Sequence, residues 1–164
     1  MTEQQHPKSV NYLDKEIVQQ ICHKIAEDIF ENKEPLGTFS DHEDDKLDSC
    51  LNLPRQKAFG FDLYPTLIDK AAILYYTLNR NHPFGNGNKR ISAASLVVFL
   101  FINNVRLVTS RNDFFEKTLW LAKTTDEFDA VKNELMRWLL EHAKPLETVS
   151  DIPQEDEEEF QRAA

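Results

Sequence analysis

The chain has 164 residues, 41% of them hydrophobic, and a formal net charge of -9, which provides for one core and leaves little length for a second. That acidic balance excludes a general affinity for nucleic acid or an anionic membrane, while permitting a local cationic pocket. Two cysteines, Cys22 and Cys50, are too few for a disulfide scaffold or a zinc site and point to a reducing cytoplasm.

The N-terminus MTEQQHPKSV lacks the pattern of a secretory signal, and the longest apolar run, AASLVVFLFI, is too short to span a bilayer. From Asn11 to Phe30 the row Leu13, Ile17, Ile21, Ile25 and Ile29 predicts an amphipathic helix. Residues 31–65 carry three prolines, two glycines and clustered acids, and read as a long loop or short hairpin. Pro65 suits the first position of a second helix that runs to about Arg80. Residues Ala93 to Ile102 are apolar on nearly every side, as in a helix buried in the middle of a bundle. Two further helices follow, the last opening on Thr124 and Glu127 at capping-box spacing. The expected organisation is an all-α domain over residues 1–146. An acidic, disordered tail over 147–164 carries -6 of the charge.

Between the second helix and the buried one lies HPFGNGNKR, residues 82–90. Gly85, Asn86 and Gly87 permit backbone conformations that turn successive N–H groups toward one point, and the next helix adds its own free N–H groups there. Lys89 and Arg90 stand in the first turn of that helix, where the dipole disfavours cations, so an anion such as a polyphosphate is expected to offset them. His82 at the loop's entry suits proton abstraction from a hydroxyl near neutral pH. A phosphate cradle beside a base is the minimum set for transfer from a nucleotide to a hydroxyl. Pro83 and Phe84 read as structural, Phe84 as an anchor in the core.

HPFGNGNKR resembles the signature of the Fic/Doc family: His-Pro-Phe, any residue, Asp or Glu, Gly-Asn, Gly or Lys, then Arg. From about Phe61 to Asn104 the chain is similar to the death-on-curing branch. The resemblance implies an all-α Fic/Doc-type bundle with a central helix after the loop and a short flap or hairpin before it. It implies His82 as general base, Gly87 and Asn88 in an anion hole, Arg90 on the nucleotide phosphates, and a target-docking flap around Leu51 to Phe59. The expected co-substrate is ATP or another nucleoside triphosphate with Mg2+, and the expected partner is a protein with a Ser, Thr or Tyr hydroxyl. Asn86 replaces the acid that usually holds Mg2+, and a neutral carbonyl is a weaker ligand for a hard cation. Lys89 replaces the glycine of nucleotidyl-transferring members, and Ala93 stands where many of them have arginine. The death-on-curing branch shares the lysine, which favours phosphorylation over AMP transfer.

The inhibitory pattern of Ser or Thr, three residues, Glu, then Gly or Asn is absent from the sequence, so a restraining partner is expected on another chain, as in a toxin and antitoxin pair. The rival expectation is a catalytically weakened Fic-fold protein that binds nucleotide or a partner. Among the other histidines, His42 in the acidic run DHEDD reads as a solvated loop residue before a metal ligand. Trp120 and Trp138 read as core.

Overall fold

The stretch after Asn11 folds as α1 (Lys15–Ile17), a π-helical turn (Val18–Cys22) and α2 (His23–Asp28) in one run, in a computed structural model that describes residues 9–31 and 34–146. Asp14 starts it, its carboxylate accepting from the Ile17 N–H at 2.8 Å and so satisfying a donor the helix leaves open. The buried row is Leu13, Val18, Cys22, Ala26 and Phe30, whereas Ile21 and Ile25 are exposed. The wider π turn rotates the face, and the small Cys22 and Ala26 side chains bring the run close to the central helix. Burial pushes the Cys22 thiol up to about 11 and leaves it an unreactive core group.

Residues 34–65 are more ordered than their composition suggests. They contain α3 (Asp44–Asn52) between short 3-10 turns at Phe39–Asp41 and Leu53–Arg55. Asp44 and Asp45 lie in its first turn, where acids complement the dipole, and Leu47, Cys50 and Leu51 face the core. The expected hairpin follows as β1 (Lys57–Ala58) and β2 (Phe61–Asp62), with Lys57 opposite Asp62. Phe59 and Gly60 make the tight turn with φ of 52 and 81°, the left-handed pair that matches strand twist.

Helix α4 (Leu67–Arg80) begins with a capping box between Thr66 and Asp69, so Pro65 precedes the cap instead of occupying the first helical position. Helix α5 (Asn88–Ile102) runs through the centre, packed against α4 and α2. Strand β3 (Val105–Leu107), α6 (Arg111–Lys123), α7 (Phe128–His142) and β4 (Ala143–Pro145) complete the domain. The antiparallel β3–β4 pair sets Val105 opposite Pro145, a closure that helical periodicity did not reveal. Thr124 ends α6, while Glu127 precedes α7 without a side-chain cap bond. The expected capping box is therefore not formed. Trp138 is buried and stacks on Phe114 at 5.9 Å, and the Tyr75 hydroxyl meets the Thr118 hydroxyl at 2.5 Å to join α4 to α6.

Among the described residues the fold is all-α apart from these two short strand pairs. None of the described helices is long and apolar enough to cross a membrane. His6 and the acidic tail lie outside the described residues.

Candidate functional site

Three bonds and one buried ring hold the loop between α4 and α5. The Pro83 carbonyl accepts from the Glu43 N–H at 2.7 Å. The Asn88 amide donates to the Phe84 carbonyl at 2.9 Å and accepts from the Phe84 N–H at 3.0 Å, closing the turn on itself. Phe84 is 6% exposed and packs near Phe39 and His42. His82 is left exposed at the rim with φ of 48°, in the left-handed region. That conformation costs a non-glycine residue free energy, and the anchored Pro83 and Phe84 hold it in place.

Gly87 is favoured by its backbone, whose φ of 75° lies in the left-handed region; a Cβ there would lie 2.1 Å from Leu36 Cδ2, the movable end of that side chain. Gly87 is the N-cap of α5, so the first N–H groups of that helix open beside it.

Arg90 is 7% exposed. One of its N–H groups donates to the Glu34 carbonyl at 2.9 Å. It forms no salt bridge among the described residues, and neither does exposed Lys89. The first turn of α5 holds no acid. Both cations border a cleft of about 300 Å³ that also takes in His82, Asn86, Gly87 and Asn88. Gly85 is not in the lining; its side-chain direction faces Asp41. The remaining walls come from Phe30, Glu34, Phe115, Thr118 and Leu119, residues scattered over 90 positions of sequence that no local pattern links.

A strap of residues 34–38 crosses the loop. Gly37 donates its N–H to Asn86 Oδ1 at 2.5 Å and its carbonyl meets His23 Nε2 at 2.9 Å, while Leu36 covers Gly87. The segment expected to dock a target beside the site was instead Leu51 to Phe59. Its hairpin part stands at the other end of α4, where Lys70 donates to the Pro54 carbonyl and reaches Asp62, while its start at Leu51 follows Cys50, whose sulfur meets Thr77 and Asn81 toward the site end. Fourteen residues of helix place about 21 Å between those ends. Position in sequence pointed to the hairpin; folding brings the earlier strap to the site.

The described side chains form no cage that would hold a magnesium ion by protein ligands alone. Asn86 Oδ1 already accepts the Gly37 N–H, and no group of three or more His, Cys, Asp or Glu among the described residues is placed to hold a metal. His42 bonds the Phe39 carbonyl and Asp44, which makes it a brace for the 3-10 turn before α3. A phosphate chain does fit: it would meet the α5 N-terminus and two cations that form no salt bridge among the described residues.

Residues 12–100 match the sequence model of the Fic/DOC family. The chain is also 46% identical over 91 residues to the protein named Toxin Doc of Mycolicibacterium smegmatis, an overlap covering 54% of this chain and 70% of that protein. No solved structure matches. With the loop, its anchors and all but the last two residues of the helix behind it inside the matched region, the chain belongs to the Fic/DOC family.

Proposed function

We propose that the protein transfers the terminal phosphoryl group of ATP to a Ser, Thr or Tyr hydroxyl of a target protein. The observation that carries this reading is Arg90, a buried guanidinium with no acid partner among the described residues, at the edge of the cleft that His82 also lines. His82 takes the hydroxyl proton as the new oxygen–phosphorus bond forms. The bond from the γ phosphorus to its bridging oxygen breaks, and ADP leaves with the electron pair. The N–H groups after Gly87, with Lys89 and Arg90, hold the negative charge through the transfer. Magnesium accompanies the nucleotide as its counter-ion, and no step is assigned to it.

Lys89 supports phosphoryl transfer over AMP transfer, since the death-on-curing branch carries lysine at that place. Similarity to a protein named Toxin Doc supports a toxin role in the cytoplasm, restrained by an antitoxin on a separate chain.

ATP labelled separately at the α and γ phosphates, incubated with Mg2+ and cell lysate, tests the reading. We expect γ label on a protein band with the wild type and none with His82→Ala. An α label would replace phosphorylation by AMP transfer. Absence of either label from both the wild type and Asn86→Asp, with ATP still bound, would favour a binding protein.

A further inference from the structure

The turn that carries His82 borders two hollows. Besides the phosphate cleft, a cavity of about 410 Å³ opens between α3 and the end of α4, lined by Asp45, Lys46, Ser49 and Asn81. Asn81 lines this one and the adjoining His82 lines the phosphate cleft, so the two rims meet at consecutive residues. Both walls are fixed. The Glu43 N–H, at the start of α3, donates to the Pro83 carbonyl at 2.7 Å, and the Asn81 amide donates to the Thr77 hydroxyl at 2.8 Å.

The two hollows differ in sign. Lys89 and Arg90 border the phosphate cleft, whereas residues 41–49 carry five acids and one lysine. Four of those acids are engaged. Asp44 and Asp48 hold Lys15 at 2.6 and 2.9 Å, Glu43 holds Lys46 at 2.9 Å, and Asp41 accepts from the Thr38 hydroxyl at 3.0 Å. Asp45, in the wall of the hollow, forms no salt bridge or hydrogen bond with its side chain among the described residues. Its field repels a nucleotide and attracts a cation.

We infer that this hollow receives the acceptor protein, with Asp45 binding an arginine or lysine that lies one to three residues from the hydroxyl to be modified. The inference rests on the transfer reading above, in which His82 is the base. An extended chain advances ~3.4 Å per residue, so a hydroxyl beside His82 and a cation beside Asp45 belong to one short segment. Both bonds of the Asn81 side chain, to Thr77 and to Cys50, use Nδ2, which leaves Oδ1 to accept a backbone N–H of that segment. Nucleotide and acceptor then approach His82 from hollows of opposite charge, and the acidic one rejects ATP while selecting a basic target.

The test follows γ label from ATP into protein at limiting cell lysate, with Mg2+ and the full chain as wild type, Asp45→Asn, Asp45→Lys and Asp45→Glu. Affinity for inorganic tripolyphosphate, measured beside it, reports the phosphate cleft alone. Asp45→Asn should slow labelling about two- to fivefold, the value of one exposed ion pair, and Asp45→Lys roughly tenfold or more, because like charges then meet. Asp45→Glu should keep the wild-type rate. The losses should shrink as lysate is raised, since they fall on acceptor binding and not on the chemical step. Raised salt should close the gap between wild type and Asp45→Asn. Tripolyphosphate affinity should be the same in all four proteins, and the labelled residue, once mapped, should have arginine or lysine within three positions. Labelling by Asp45→Asn at the wild-type rate would overturn the inference and leave the transfer reading standing. So would a labelled residue without such a cation, or a loss of tripolyphosphate affinity as large as the loss of labelling. Absence of any His82-dependent label from the wild type would sink the transfer reading and the acceptor hollow with it.

Discussion

Arg90 and Lys70 are both cations buried in the same bundle, at 7% and 2% exposure, and their surroundings differ in kind. Lys70, in the first turn of α4, donates to the Pro54 carbonyl at 3.1 Å, reaches Asp62 at 3.4 Å and lies 5.7 Å from the Tyr12 ring centre. Its charge is answered by groups that belong to the fold, and it ties the hairpin to the helix. Arg90 gives one N–H to a backbone carbonyl and meets no carboxylate in a salt bridge among the described residues. A buried charge without a partner costs folding free energy. Among the described residues that cost falls at the site end of α4, beside an open helix N-terminus and an exposed histidine. Incomplete stabilisation around Arg90, set against the complete arrangement around Lys70, is the physical mark separating a site from a strut.

The sharpest way to break this contrast is at the rim. His82→Ala should lower transfer by about 10² to 10⁴, read as the rate of label incorporation, with the melting temperature held, because the exposed imidazole has no hydrogen bond among the described residues. Arg90→Met comes next. Tripolyphosphate affinity should fall about ten- to a hundredfold, the value of charge-assisted bonds to an anion. Stability should move little, since the variant loses one bond and also relieves an unpaired charge. Lys70→Met is the mirror experiment. Thermal unfolding should show a loss of about 1–3 kcal/mol, from a stranded Pro54 carbonyl and an unanswered Asp62, with tripolyphosphate affinity unchanged. If Lys70→Met weakened phosphate binding as strongly as Arg90→Met, the two cations would not have the separate roles assigned to them.

The geometry of the candidate site was legible where it is local. Gly87 at a positive φ, two cations against the dipole and a histidine at a turn all fall within residues 82–90, and the apolar run of α5 announced its burial. What was not legible depends on contacts distant in sequence. Nothing around Pro35-Leu36-Gly37 signals that Gly37 bonds a residue 49 positions away, and α3 was hidden because Asp44 and Asp45 look like a solvated loop until their place at a helix start is known. The isoleucine row misled for a local reason. Two adjacent rows of the first helix are both apolar, and only the π turn and the close approach of α5 select Val18, Cys22 and Ala26 for burial. The Thr124 capping box failed because Thr124 already serves the end of α6, where its carbonyl accepts from Arg80 at 2.7 Å.

The smallest expected effect bears on the strap. Asn86→Ala removes a single neutral hydrogen bond at an exposed residue, for about 0.5–1.5 kcal/mol. The His23 and Arg90 contacts to the same segment remain, so the segment should loosen without leaving. Amide exchange at Gly37 reads this directly, because its N–H is the donor that loses its acceptor. Exchange should speed up by roughly tenfold, the factor that corresponds to about 1.4 kcal/mol. Asn86→Asp keeps an oxygen in the same place and should preserve the protection, while also supplying the carboxylate that a hard cation prefers. The pair of variants therefore separates holding the strap from binding a metal. Unchanged Gly37 exchange in Asn86→Ala would mean that the bond does not hold the strap, and would return the Asn86 oxygen to the set of groups open to a cation. Faster exchange in the alanine variant alone would make Asn86 the fastener of the strap whose Glu34 carbonyl also accepts from Arg90.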